Sequence, residues 1–249
     1  MHAMHRLLLA ASNSFGPGGP GSDVTTGLHW WYDAQALSGF ADMDPVATWP
    51  DSSGNGRDAT SQTGTAAWQG RYRTNALNGH PAVELFASGG NTRGYSMPGG
   101  GLTGEAHLFI VSSVAAASPP YHLGSQSFGP SFPATTDGTG TLNDHFGTST
   151  SRTCTPGVNT TTAGGGFVYH AHAATGQWDN DANGVVKVND ATNTLEYGTQ
   201  VLGAWIFGGF STTIFQGRIG EFRVYDGALS STDITNIETA LATKWGITL

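Results

Sequence analysis

This chain lacks the means to staple itself: among 249 residues Cys154 is the single cysteine, so no internal disulfide can form. No motif sets a histidine and an acid around it, and it reads as a neutral loop thiol. Charge is scarce as well. Lysine and arginine number 10 against 18 acids, charged residues make up 11% of the chain, and the net charge is -8. So few cations exclude a nucleic-acid partner, whose phosphates demand a basic face, and give an anionic membrane surface little to hold. Long apolar runs are missing too; none approaches the roughly 20 residues of a membrane-spanning helix, and no membrane insertion is expected. Leu7 to Ala11 follows Arg6 but is too short for a secretory signal, so the expectation is synthesis in the cytoplasm without one.

Glycine is what the chain has in quantity, 37 residues, with abundant Thr, Ser and Asn. A neutral surface of hydroxyls and amides suits a β-protein set among neighbours in an assembly, or one presenting polar groups to neutral sugars. Residues 1–22 stand apart: Leu7, Leu8 and Leu9, then a Gly-Pro-Gly-Gly-Pro-Gly run at 16–21 that suits neither helix nor strand. They read as a flexible arm and linker, with the Leu patch available to dock on a partner, leaving 23–249 as one domain. At this length a single all-β sandwich is ordinary and buries enough apolar surface to fold unaided.

Strand candidates recur at 28–33, 46–49, 81–86, 107–115, 166–173, 185–189, 201–207 and 213–225, separated by Gly, Pro, Asn and Asp clusters. No strand–helix alternation appears, which excludes a parallel α/β sheet. The polar stretch 118–165 reads as long loops over one rim. In the last strand Phe222 and Val224 alternate with Glu221, Arg223 and Tyr225. An Asp226-Gly227 turn follows, then Ser230 and Asp233 at capping-box spacing. Ile234, Ile237, Leu241 and Trp245 recur at helical spacing, and Gly246 supplies the stop.

The phrases Ile219-Gly220-Glu221-Phe222, Tyr225-Asp226, Ala228-Leu229-Ser230 and Lys244-Trp245-Gly246 resemble the end of concanavalin A-like (laminin G-like) lectin/glucanase domains. Leu28-His29-Trp30-Trp31-Tyr32-Asp33-Ala34, Val46 through Thr60 and Asn78 through Phe86 are similar to the start of that family, in the same order. The resemblance brackets residues 28–247 and implies a two-sheet antiparallel jelly roll closed by a short C-terminal helix. The Leu-rich beginning is also similar to those of tailed-bacteriophage virion proteins.

That family includes glycosidases, which need paired carboxylates; residues i and i+2 of a strand share a face and supply such a pair simply. Acid-x-acid occurs at Asp42/Asp44 and Asp179/Asp181, and both look like turns, while the strand acids Glu84 and Glu221 stand alone. The Glu-x-Asp-x-Glu signature of the family's glucanases is missing. Asp179-Asn180-Asp181-Ala182-Asn183-Gly184 fits the opening of a calcium loop, with Asp190 in the twelfth position. A hairpin turn running into Val185-Val186-Lys187-Val188 explains the same residues, and whether Asp179, Asp181 and Asn183 hold calcium stays open. His170 and His172 share one strand face and could join a third metal ligand, which the sequence does not identify. Trp30 and Trp31 point to opposite faces of their strand; Trp49, Trp205 and Trp245 read as core, and Trp68, Trp178, Tyr95 and Tyr121 as platforms for sugar rings. Asp51 to Gly56 is a turn rather than a phosphate loop, for it lacks the lysine and the following helix.

The expectation is a non-enzymatic virion protein with a lectin-like domain, serving host-glycan adhesion or particle decoration, and forming a homo-oligomer within the assembly. Its partners would be other virion proteins, reached through the N-terminal arm, and cell-surface glycans. The alternative is a glycoside hydrolase or lyase acting on surface polysaccharide. No catalytic residue, metal ligand or cofactor is assigned, and no residue is singled out for binding.

Overall fold

The computed structural model describes residues 23–61, 64–85, 94–98, 101–114, 121–122, 130–132, 142–148, 150, 152–161, 165–197, 201–202 and 217–249. The arm at 1–22 and Trp205 lie outside them. The early strands are β1 (Leu28–Asp33), β2 (Pro45–Val46), β3 (Thr48–Trp49), β4 (Ala59–Ser61), β5 (Gly70–Leu77), β6 (His80–Glu84), β7 (Tyr95–Ser96) and β8 (Ala106–Val114). Then come β9 (Tyr121–His122), β10 (Pro130–Phe132), β11 (Leu142–Asp144) and β12 (Arg152–Cys154). The last are β13 (Phe167–Ala174), β14 (Gln177–Ala182), β15 (Val185–Asp190), β16 (Val201–Leu202) and β17 (Gly217–Asp226), followed by helix α1 (Ser231–Trp245).

Every pairing between two of these described strands is antiparallel. One nine-stranded sheet runs β15-β14-β13-β8-β17-β6-β5-β2, with β1 also on β17; two four-stranded sheets run β12-β11-β10-β9 and β16-β7-β4-β3. The expected all-β sandwich with one C-terminal helix is therefore observed. Within 118–165, expected to be loops, the described residues include the four short strands β9 to β12. Each is only two or three residues long within a Ser-, Thr- and Gly-rich stretch, too short for apolar alternation to announce it.

Period-two alternation assigns the two faces of the large sheet. Trp30, Tyr32, Leu108, Ile110, Tyr169, Trp178, Phe222 and Val224 point into the sandwich and are essentially fully buried. There Tyr32 lies 6.0 Å from Trp49 and 5.9 Å from Phe222, ring to ring. The opposite face carries Trp31, Glu221, Arg223, Tyr225, His107, Phe109, His170 and His172, and α1 covers it. Ser230 accepts from the Asp233 N–H while the Asp233 side chain returns to the Ser230 N–H, completing the expected capping box. Gly246 closes the helix in the left-handed region at φ 61°.

Glu221 joins sheet, helix and first strand. Its Oε1 accepts from Trp31 Nε1 at 2.6 Å and Arg223 Nε at 2.7 Å; its Oε2 accepts from Lys244 Nζ at 2.7 Å and Trp245 Nε1 at 2.8 Å. Burial opposes this charge, but Arg223 and Lys244 outweigh it and hold the carboxyl below its ordinary range. Lys244 also donates to Asp33 at 2.7 Å, and Arg223 lies 4.5 Å from the Trp31 ring centre. Gly220 lets Trp245 approach, since a Cβ there would sit 2.6 Å from the indole. Asp51 accepts from the Trp31, Ser53 and Arg57 amides, and Asn55 and Arg57 donate to β1 carbonyls, so the 51–57 turn clamps β1.

Candidate functional site

On the helix-covered face the chain concentrates titratable side chains. In β13 against β8, His172 stands opposite His107; in β13 against β14, His170 stands opposite Asp181 and His172 opposite Asp179. Two i,i+2 pairs, His170/His172 and Asp179/Asp181, therefore meet across adjacent strands, and Glu105 with His107 adds a third at the entry to β8. This corrects the reading of Asp179/Asp181 as a turn: both lie on β14, and the turn is Asn183-Gly184, at φ 49° and 71°. The hairpin, not a calcium loop, accounts for the segment. Asp179 and Asp181 face histidines, while Asn183 Oδ1 accepts from the Val168 N–H at 2.9 Å, so the three do not converge. Asp42/Asp44 is a turn, as expected, with Asp42 bound to Arg73 and Asp44 to the Ala41 N–H.

Hydrogen bonds orient the rings. The Leu229 N–H donates to His107 Nε2 at 3.3 Å, which leaves the proton on Nδ1, and Nδ1 donates to His170 Nε2 at 3.1 Å. His170 Nδ1 in turn donates to Asp181 Oδ2 at 2.6 Å. Burial, with the neighbouring imidazoles, pushes His107 down to about 2, and burial pushes His170 down to about 4. Glu238 of α1 joins at the buried end, where burial and the Asp181 carboxylate push it up to about 9. His172 behaves differently. Its Nδ1 lies 2.9 Å from Asp179 Oδ2 and its Nε2 3.0 Å from Glu105 Oε1; burial opposes the charge, but these two acids raise its pKa overall.

Two ligand-capable sets result: Glu105, His107 and His172 at the rim, and His170, Asp181 and Glu238 inside, each with donor atoms within 4.8 Å of one another. The sequence pointed to His170 and His172 but not to Glu105, His107 or Glu238. The Glu-x-His spacing at 105–107 was the available signal; nothing short of the fold brings Glu238 to the cluster.

At the other end of β13 lies a cleft of about 380 Å³, lined by Asn78, Asn159, Asn183, Val158, Ile247 and Thr248. It gathers the β5–β6 turn, the β14–β15 turn and the segment after α1, and among the described residues no charged side chain lines it. Asn78 Nδ2 donates to the Trp245 and Gly246 carbonyls, fixing one wall. A second cleft, of about 260 Å³, is lined by Thr148, Thr150, Arg152, Thr192, Asn193 and Thr194.

The aromatic platforms need correction. Trp178 is fully buried, with Nε1 donating to the Phe146 carbonyl at 2.9 Å, and Tyr95 is fully buried, with its hydroxyl on the Val46 carbonyl at 2.8 Å. Both are core, because their strands turn them inward. Trp68 is half-buried, Trp49 and Trp245 are core as expected, and the Tyr121 side chain lies outside the described residues. Glu84 is held by Arg73 and Arg218. Cys154 ends β12 rather than sitting in a loop, and burial pushes its thiol up to about 11.

No family model matches the chain, and no curated protein matches it. Solved structures do. Domain 4 of a GH43 extracellular arabinanase from Geobacillus stearothermophilus, in complex with arabinotriose, matches with TM-score 0.54 at 18% identity, covering 85% of this chain and 98% of that one. A Trypanosoma rangeli sialidase in complex with a difluorinated sugar acid matches with TM-score 0.54 at 12% identity, covering 97% of this chain and 37% of the sialidase. The binding domain of botulinum neurotoxin DC, in complex with rat synaptotagmin II, matches with TM-score 0.56 at 11% identity, covering 91% and 56%. This chain thus spans the arabinanase domain almost whole but little more than a third of the sialidase. At such identities the likeness is one of fold: a β-sandwich of the kind that occurs in carbohydrate-binding and glycosidase-type proteins.

Proposed function

We propose that this chain is a non-catalytic glycan-binding module. The uncharged, amide-lined cleft at Asn78, Asn159, Asn183 and Thr248 carries the reading. Neutral sugars present hydroxyls that amides both donate to and accept from, and such a lining imposes no charge selection. The end-to-end likeness to an arabinanase domain crystallised with arabinotriose supports it, since that match is to a separate module. The acid-x-acid pairs support the absence of hydrolysis. Asp42 is held by Arg73, Asp179 by His172 and Asp181 by His170, so neither pair is free to flank a sugar.

Display on a tailed-phage particle, with the N-terminal segment docked on neighbouring virion proteins and the module repeated as a homo-oligomer, belongs to the same proposal. It rests on the neutral, hydroxyl-rich composition and on the likeness of the Leu-rich beginning to virion proteins. The test is a broad glycan array with the full chain, followed by titration of the best neutral oligosaccharide. Saturable binding that Asn159→Ala and Thr248→Val each weaken at least about fivefold, about 1 kcal/mol, is the expected result. Absence of binding across the array, or turnover of a bound oligosaccharide, overturns it.

A further inference from the structure

We propose that Glu105 Oε1, His107 Nε2 and His172 Nε2 form a site for one divalent transition-metal ion of the zinc class, with a fourth position open to solvent. Two imidazoles and one carboxylate are the donor set of such ions rather than of calcium or magnesium, which prefer all-oxygen shells. Bonds of about 2.0–2.1 Å in a tetrahedron place ligand atoms about 3.3 Å apart. Here Glu105 Oε1 lies 3.0 Å from His172 Nε2 and 3.8 Å from His107 Nε2.

The outer contacts are those that metal-binding histidines require. Each ligating ring uses its remaining nitrogen to fix its orientation: His172 Nδ1 on Asp179 at 2.9 Å, and His107 Nδ1 on His170, itself held by Asp181 at 2.6 Å. Gln177 Nε2 donates to the same Asp179 oxygen at 2.7 Å, so even the outer carboxylate is positioned. Access distinguishes this set from the inner one. The Glu105 side chain is 35% exposed and opens the site to solvent, whereas His170, Asp181 and Glu238 are buried between the sheet and α1.

Binding requires a defined rearrangement. The His107 and His172 rings are stacked 4.2 Å apart and within 5° of parallel, and their Nε2 edges must tilt toward a common point. The ion replaces the proton between His172 and Glu105 and the 3.3 Å contact from the Leu229 N–H. The bound ion would tie the start of β8 to β13. His172 lies six residue steps along the chain from Gly166, which lines the amide-lined cleft, about 20 Å of strand, so this site stands independently of the glycan reading.

The full chain, freed of metal by chelator, is titrated with Zn²⁺ by calorimetry and with Co²⁺ by visible absorption. One ion per chain is expected, with the d–d bands of a four-coordinate site. Glu105→Gln and His172→Gln should each weaken binding at least about tenfold, while Glu238→Gln leaves it unchanged. Long-range ¹H–¹⁵N spectra of the wild-type imidazoles provide a readout that no variant's folding can confuse: Nε2 of His107 and His172 shifts on adding Zn²⁺. Failure of the wild type to bind either ion stoichiometrically overturns the proposal. So does binding unaffected by both rim variants, or loss confined to Glu238→Gln, which would place the ion in the inner set.

Discussion

Glu221→Gln tests how this fold is closed. The carboxylate is buried and takes Trp31 and Arg223 on one oxygen, Lys244 and Trp245 on the other. A glutamine can keep its amide oxygen toward Trp31 and Arg223, but its NH₂ then faces Lys244 Nζ and Trp245 Nε1, donor against donor. One buried indole N–H loses its acceptor, at a cost of about 1–3 kcal/mol. Two cations also lose their shared anion, and removing one partner of a buried charge network costs about 3–5 kcal/mol in total. For a domain of this size that corresponds to a fall in Tm of roughly 6–20 °C. Equilibrium urea unfolding, with m unchanged, reads the free energy directly. Lys244→Met serves as the internal comparison. Its side chain is 26% exposed, so its removal should cost less than Glu221→Gln. A loss below about 1 kcal/mol for Glu221→Gln, or the reverse ranking, would refute the view of Glu221 as the common anchor of β1, β17 and α1.

Two further predictions concern the other face and the helix seat. Asp144 is fully buried, with the Tyr169 hydroxyl and the Phe146 and His145 N–H groups donating to it, and burial pushes its carboxyl up to about 6 despite those hydrogen bonds. Because the folded pKa exceeds the unfolded value near 4, the native state binds the extra proton. The contribution is complete below about pH 4 and is lost as pH rises toward and through about 6. Urea unfolding of wild type and Asp144→Asn between pH 4 and 7 should show the variant lacking this decline; identical slopes would count against it. Gly220→Ala places a methyl 2.6 Å from the Trp245 ring and 2.9 Å from Leu77. It should cost about 1–3 kcal/mol by overpacking and alter the tryptophan fluorescence; an unchanged Tm would show that the helix seats without strain.

Local order was legible in the sequence wherever polar and apolar residues recur with the period of the element. β17 and α1 follow directly from alternation, the Ser230/Asp233 cap and the Gly246 stop, because these signals act within a few residues. The His170-x-His172 pair was visible for the same reason. β14 was not, since Gln177-Trp178-Asp179-Asn180-Asp181-Ala182 has turn composition. Its acids are tolerated in a strand because histidines across the ladder pair with them. Trp178 and Tyr95 were misplaced because a ring beside a turn says nothing about which way the strand directs it.

By itself the sequence determined the all-β class, the closing helix, and a sparsely charged, cation-poor composition, all of which depend on residue content and short-range periodicity. Only the tertiary structure decided which distant residues share a site. Glu105, His107, His172 and Asp179 meet through the β8–β13–β14 register, and Trp31, Glu221 and Lys244 meet because α1 folds back over β17. Such convergence is set by strand register and helix docking, which sum weak contacts over the whole chain and leave no mark in any one stretch of it.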